Sequence, residues 1–184
     1  MAWMDASKKN YFKFTLGLAL CLLVRLIPFR APNIEPILAA TMPFSKVHGA
    51  LTGFSFAILS ILLYDVLTGT LGMQTFFTAG AYGIVGLWSA GYFKKREASV
   101  LNYVRFAIIG TLFFDVLTGL TVGPLLFQQS FMNALVGQIP FTALHLAGNI
   151  IFASVLSPVI YNFIIKKKKT NTAPIISILR PKTI

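Results

Sequence analysis

Apolar residues occur along this chain in long, nearly uninterrupted runs rather than in an alternating pattern. Five runs reach the length of about 20 residues that a membrane-spanning helix needs, namely 11–29, 47–67, 73–93, 100–120 and 139–165. A sixth apolar run, 33–44, would extend only about 18 Å as a helix, which is short of the ~30 Å hydrocarbon core. The pattern predicts an all-α, polytopic membrane protein whose second helix is short.

Composition agrees with this interpretation and removes several other classes of protein. Hydrophobic residues make up 56% of the 184 residues and charged residues 11%, less than half the ~25% charge of an average soluble domain. This hydrophobicity excludes a disordered chain, and a single cysteine, Cys21, excludes a disulfide scaffold. The sequence contains neither a Gly-x-x-x-x-Gly-Lys phosphate loop nor a His-Glu-x-x-His zinc motif. We therefore expect no ATP hydrolysis, no enzymatic activity, no metal and no cofactor.

The few charges are unevenly divided, with 16 Lys or Arg against 5 Asp or Glu and a net charge of +11. Ten of the basic residues form three clusters, at Lys8, Lys9 and Lys13, at Lys94, Lys95 and Arg96, and at Lys166 to Lys169. Basic loops favour the cytoplasmic side of a membrane, and the three clusters share one side only if the short second segment also crosses. This parity predicts a six-helix transmembrane domain over 1–165 in the plasma membrane, with both termini cytoplasmic. A basic, flexible tail would cover 166–184. The charge thus indicates orientation, and no nucleic-acid partner is expected.

A 15-residue string occurs twice. Residues 55–69 and 105–119 are identical at 9 of 15 positions and both end in Asp-Val-Leu-Thr-Gly. The repeat predicts that Gly69 and Gly119 each end a helix in the left-handed conformation. A carboxylate near a helix C-terminus opposes the helix dipole, so Asp65 and Asp115 each need a partner. They are either structural or lining residues of an outward-facing site.

Polar residues within the apolar runs are costly and are therefore candidates for function. One set falls on one face of helix 6, because its members are three or four residues apart: Gln138, Thr142, His145 and Asn149. A second set has the same spacing on helix 4 and comprises Gln74, Thr78 and Tyr82. Together with Glu35 they predict an amphipathic pocket for a small organic solute on the outer side. The alternatives are polar packing between helices and, for Glu35, a cap of helix 2.

Four segments resemble the substrate-binding S components of energy-coupling factor (ECF) transporters. They are the connection Arg25-Leu-Ile-Pro-Phe-Arg-Ala-Pro-Asn-Ile-Glu-Pro36, the helix 3 ending Asp65-Val-Leu-Thr-Gly69, the helix 4 string 74–86 and the helix 6 string 137–149. The resemblance covers residues 10–165 and includes the six short-looped helices.

The resemblance implies a partnership as well as a fold. Such S components are embedded in membrane lipid and capture a vitamin or similar micronutrient from outside the cell. They deliver it through a transmembrane coupling (T) component that carries two ATPase subunits. The family often docks through an Ala-x-x-x-Ala patch on helix 1, to which Gly17-x-x-x-Cys21 is the nearest equivalent here. Two other hypotheses stay open at this stage. One is a membrane-embedded enzyme that uses His145 with Asp65 or Asp115, and the other is an assembly protein without a ligand.

Overall fold

The computed structural model describes residues 2–29 and 33–165, and in this part of the chain the regular secondary structure is all helical, with short turns between the helices. The α-helices are α1 (Ala2–Arg25), α2 (Ile37–His48), α3 (Ala50–Thr68), α4 (Met73–Phe93), α5 (Val100–Phe127) and α6 (Phe131–Val159). A π-helical segment, Ile160–Ile165, continues α6. The predicted all-α bundle with a short second helix is confirmed. The predicted tail and its basic cluster, 166–184, lie outside the described residues.

Within the described ranges, three helices are long and apolar enough to cross a membrane: α3, α5, and α6 with its continuation to Asn162. The protein is therefore membrane-embedded. The 12 residues of α2 are too few to span the hydrocarbon core by themselves. Six crossings and two cytoplasmic termini stay predictions.

Helices α5 and α6 are longer than the apolar pattern predicted. α5 continues past residue 120 to Phe127, and α6 begins at Phe131 rather than near residue 139. The Ser130 side chain accepts a hydrogen bond from the backbone N–H of Asn133 and so caps the start of α6. The extension makes Gly119 an interior residue of α5, and the predicted cap at this glycine is wrong. Gly69, by contrast, ends α3 with a φ of 70°.

The short helix α2 lies at the centre of the bundle. Nine consecutive residues, Ile37 to Ser45, are buried, and α2 contacts each of the other five α-helices. Pro43 has no N–H, so the carbonyl of Ala39 loses its partner within the helix. The hydroxyl of Ser157 on α6 donates to this carbonyl at 2.8 Å. The side chain of Ser157 thus supplies the hydrogen bond that the backbone of α2 lacks at Ala39, as burial away from water requires.

The other helices pair along the chain, α3 with α4 and α5 with α6. The two copies of the repeat bury equivalent faces of α3 and α5. Phe56 and Ala57 in the first copy correspond to Phe106 and Ala107 in the second, and all four are fully buried. The repeat therefore encodes a packing face that is used twice.

The α3–α4 contact depends on a pair of glycines. A Cβ atom added at Gly86 would lie 2.6 Å from the carbonyl oxygen of Gly53, whereas one added at Gly80 meets nothing within 4 Å. We expect Gly86→Ala to lower the free energy of unfolding by about 1–3 kcal/mol, because backbone cannot move aside as a side chain can. Gly80→Ala, on the same helix, should be neutral or stabilising because alanine is the better helix former. Thermal unfolding in detergent compares the two variants, and equal losses would contradict this account of the contact.

Candidate functional site

Tyr82 of α4 joins two side chains that come from distant parts of the sequence. Its hydroxyl donates to Oε1 of Glu35, in the connection before α2, at 2.5 Å. The same oxygen lies 3.1 Å from Nε2 of His145 on α6. The Tyr82 side chain is buried, so both contacts lie inside the bundle.

His145 continues this set of contacts to α5. Its Nδ1 lies 2.7 Å from Oδ1 of Asp115, and both side chains are 2% exposed. The rings of Phe114 and Phe141 pack edge-on against the imidazole. Burying a charge without its partner is costly, so two ionisable side chains with this little exposure depend on each other.

Arg25, the last residue of α1, extends this set of contacts beyond Glu35. Its Nε forms an ion pair with Oε2 of Glu35 at 3.2 Å, and its Nη1 donates to the carbonyl of Ser60 at 2.7 Å. The guanidinium lies over the ring of Tyr64, 3.8 Å from its centroid, a cation–π contact. The five side chains Arg25, Glu35, Tyr82, His145 and Asp115 thus form one connected set, which we call the buried polar chain.

Sequence reasoning found four members of this chain but missed Arg25. Glu35, Tyr82 and His145 were predicted to share a pocket, and Asp115 was predicted to need a partner. Glu35 does not cap α2, because Pro36 occupies the N-cap position and no side chain bonds there. The signal for Arg25 was available: a lone arginine at the end of an apolar run, on the side opposite the basic clusters, needs a buried partner.

Two of the residues predicted on helix 4 are not part of the chain. The Gln74 side chain is exposed and bonds the carbonyl of Thr70. The Thr78 hydroxyl bonds the carbonyl of Gln74, one turn earlier in the same helix. In the structure, the helix 4 stripe therefore contributes Tyr82 alone to the buried polar chain.

The other predicted residues on helix 6 lie beside the chain. Asn149 is buried one turn from His145, and its Nδ2 donates to the hydroxyl of Thr111 at 2.8 Å. Gln138 bonds the hydroxyl of Thr142 at 3.1 Å. Gln138 and Thr142 also line a groove of about 420 Å³ between α5 and α6, which we call the α5/α6 groove.

The α5/α6 groove is open rather than enclosed, and its volume lies within the range of small-molecule sites. Ligand pockets typically have volumes of about 300–1,000 Å³ and apolar walls with a few polar groups. Among the described residues that line the groove, Asp115 is charged and Gln138 and Thr142 are polar; the others are Leu112, Val116, Leu120, Leu135, Ile139, Ala143 and Leu146. The groove therefore borders the buried polar chain at Asp115.

The two aspartates of the repeat bond in related ways but differ in setting. Each bonds the helix that follows its own: Asp65 accepts from the Thr75 hydroxyl at 2.5 Å, and Asp115 pairs with His145. Thr75 also accepts from the backbone N–H of Gly72, where α4 begins. Asp65 thus stabilises the turn between α3 and α4, while Asp115 belongs to the buried polar chain.

The predicted docking face on helix 1 is not at the surface. Gly17 and Cys21 are both buried, and a Cβ atom at Gly17 would lie 2.6 Å from the ring of Phe44. The small residues of α1 instead admit the large side chain of the central helix. Neither residue is exposed, and the docking role predicted for them stays a prediction.

Comparison with protein-family models, with curated proteins and with solved structures finds no match for this chain.

Proposed function

We propose that this protein is a multi-pass plasma-membrane subunit that binds a small organic solute, of the kind that serves as the S component of an ECF-type transporter. The observation that carries the proposal is the convergence of polar side chains from the connection before α2, from α4, from α5 and from α6 on one buried point. The resemblance of the sequence implies a solute site among the same elements. The subunit would capture a vitamin-like micronutrient from outside, and a T component with two ATPase subunits would drive uptake.

An enzymatic function has less support. The contact between His145 and Asp115 has the geometry of a general base and its orienting group. Yet both side chains are 2% exposed, and Cys21 lies on α1, outside the buried polar chain. A binding role needs only that the ligand exchange hydrogen bonds with these groups. The buried Gly17 and Cys21 have no docking role in this proposal.

The test is a thermal-stability screen of the detergent-purified protein against vitamins and related micronutrients. A ligand at 100 times its dissociation constant adds about 2.7 kcal/mol to the free energy of unfolding. We expect one compound to give such a shift, and we expect His145→Ala and Asn149→Ala to abolish it. Gln74→Ala is the matched control, because this side chain is exposed and bonds the carbonyl of Thr70, whereas Asn149 is buried one turn from His145, and it should keep the full shift.

The same variants test uptake in cells that also contain an ECF T component and its two ATPases. Uptake of the compound should require all the subunits and should fail for His145→Ala. The proposal is wrong if no micronutrient stabilises the protein. It is equally wrong if His145→Ala and Gln74→Ala respond alike.

A further inference from the structure

The hydrogen bonds of the buried polar chain require one proton more than its groups carry in their ordinary states. Tyr82 has a single hydroxyl proton, which it donates to Glu35. Its oxygen must therefore accept from Nε2 of His145. The other nitrogen of His145 faces an oxygen of Asp115, which accepts when it is ionised. In this placement the third proton lies on His145, with a hydrogen on each ring nitrogen.

The same conclusion follows for any placement of the protons. The three contacts between Glu35, Tyr82, His145 and Asp115 need three protons, whereas a phenol and a neutral imidazole supply two. The third proton can reside on either carboxylate or on His145. With it, the positive charges of the chain equal the negative charges, Arg25 included. Without it, one negative charge stays buried uncompensated, which is costly.

The described charged and titratable groups around this proton come from every element packed against it. They are Arg25 of α1, Glu35 before α2, Tyr64 of α3, Tyr82 of α4, Asp115 of α5 and His145 of α6. Asp65, the equivalent of Asp115 in the repeat, is engaged by Thr75 instead. The balance of charge is therefore set inside the chain itself.

Two buried atoms of the chain have no hydrogen-bond partner among the described residues, Nε of Arg25 and Oδ2 of Asp115, and Nε already lies 3.2 Å from the Glu35 carboxylate. Oδ2 belongs to Asp115, which lines the α5/α6 groove. Buried polar atoms nearly always have a partner, so this oxygen marks a place for a donor. The apolar walls of the groove suit the hydrocarbon body of the molecule that carries the donor.

We propose that the buried polar chain holds one exchangeable positive charge, which is either a proton or the ammonium group of a small organic cation that reaches Asp115 through the α5/α6 groove. The inference rests on the proposed function, because it names the charge class of the solute. When the ammonium group pairs with Asp115, the proton leaves, one of the three contacts loses its hydrogen and opens, and the chain stays neutral. Cation and proton therefore compete, and acidification weakens binding.

The experiment uses the full chain in lipid nanodiscs and two probes with the same apolar body. 4-Phenylbutylamine is a cation, and 4-phenylbutan-1-ol is uncharged. Calorimetry in phosphate and in Tris at one pH measures the protons released on binding. We expect about one proton per amine bound, and an affinity that falls about tenfold per pH unit of acidification while the proton is present. The alcohol should bind at least about tenfold more weakly and release no proton.

The repeat provides a matched pair of variants. Asp115→Asn keeps the shape and removes the charge, so amine affinity should fall at least about tenfold and proton release should vanish. Asp65→Asn makes the same change in the other copy and should leave both quantities unchanged. Equal behaviour of the two variants overturns the inference. So does a failure of the amine to bind, amine binding without proton release, or equal affinity for amine and alcohol.

The wild-type buffer and probe comparisons decide the matter even if Asp115→Asn does not fold. The outcomes also separate this inference from the proposed function. A micronutrient that binds through His145 but carries no positive charge overturns the inference and leaves the function standing. Conversely, the amine can bind and release a proton although no micronutrient stabilises the protein and no uptake is seen. That outcome supports the inference and overturns the proposed function.

Discussion

Glu35→Gln is expected to lower the free energy of unfolding by about 3–5 kcal/mol, the cost of removing one partner from a buried ion pair. Arg25 is 8% exposed and lies against the Glu35 carboxylate. A glutamine keeps the acceptor for Tyr82 but leaves the guanidinium without a counter-charge. The loss therefore reports the unpaired charge of Arg25 rather than the missing hydrogen bond.

The double variant Arg25→Met/Glu35→Gln tests that assignment. Replacing both members of a buried pair by uncharged side chains is often neutral or even stabilising, so the double variant should be more stable than Glu35→Gln alone. The carbonyl of Ser60, which Arg25 also contacts, lies inside α3 and keeps its helical partner. Thermal unfolding in one detergent at one pH gives the comparison. The single variant Arg25→Met is measured as well. If the loss of stability in the double variant equals the sum of the losses in the two single variants, Arg25 and Glu35 stabilise the fold independently and the assignment is wrong.

Spacing along the sequence identified the polar residues but not their bonds to one another. His145 and Asn149 follow from helical periodicity, and Glu35 follows from the cost of burying a carboxylate. Which of them touch depends on how α2 sits among the other helices, since Tyr82 is 47 residues from Glu35 and 63 from His145. That arrangement is a property of packing, and no periodicity within one helix encodes it.

The wrong predictions have physical reasons of the same kind. Gly69 is followed by Thr70, Leu71 and Gly72 and ends its helix, but Gly119 is followed by Leu120, Thr121 and Val122, which stay helical. An identical five-residue string therefore has different ends because the residues that follow differ. The small residue Gly17 does allow another helix to approach α1 closely, as the spacing indicated. The spacing could not tell whether the approaching group was a partner protein or Phe44 of the same chain.

Tyr82→Phe is expected to cost about 1–3 kcal/mol for each polar group that it leaves unpaired, and it leaves two, on Glu35 and His145. An average hydrogen bond between membrane helices contributes only ~0.6 kcal/mol. The larger loss is expected because both partners are ionisable and lie inside the bundle. The ring itself still packs against Phe114, 4.2 Å between centroids, so the variant removes the hydroxyl and little else.

Tyr103→Phe is the control that separates this loss from the general effect of deleting a buried hydroxyl. Tyr103 is as deeply buried as Tyr82, at 0% against 2% exposure, but its hydroxyl has no hydrogen-bond partner in the described part of the chain. Removing an unpaired buried hydroxyl relieves a desolvation cost, so Tyr103→Phe should be neutral or stabilising. Thermal unfolding of the two variants side by side measures the difference. Equal losses would mean that the hydroxyl of Tyr82 contributes no more than its burial, and that the chain from Arg25 to Asp115 does not act as one unit.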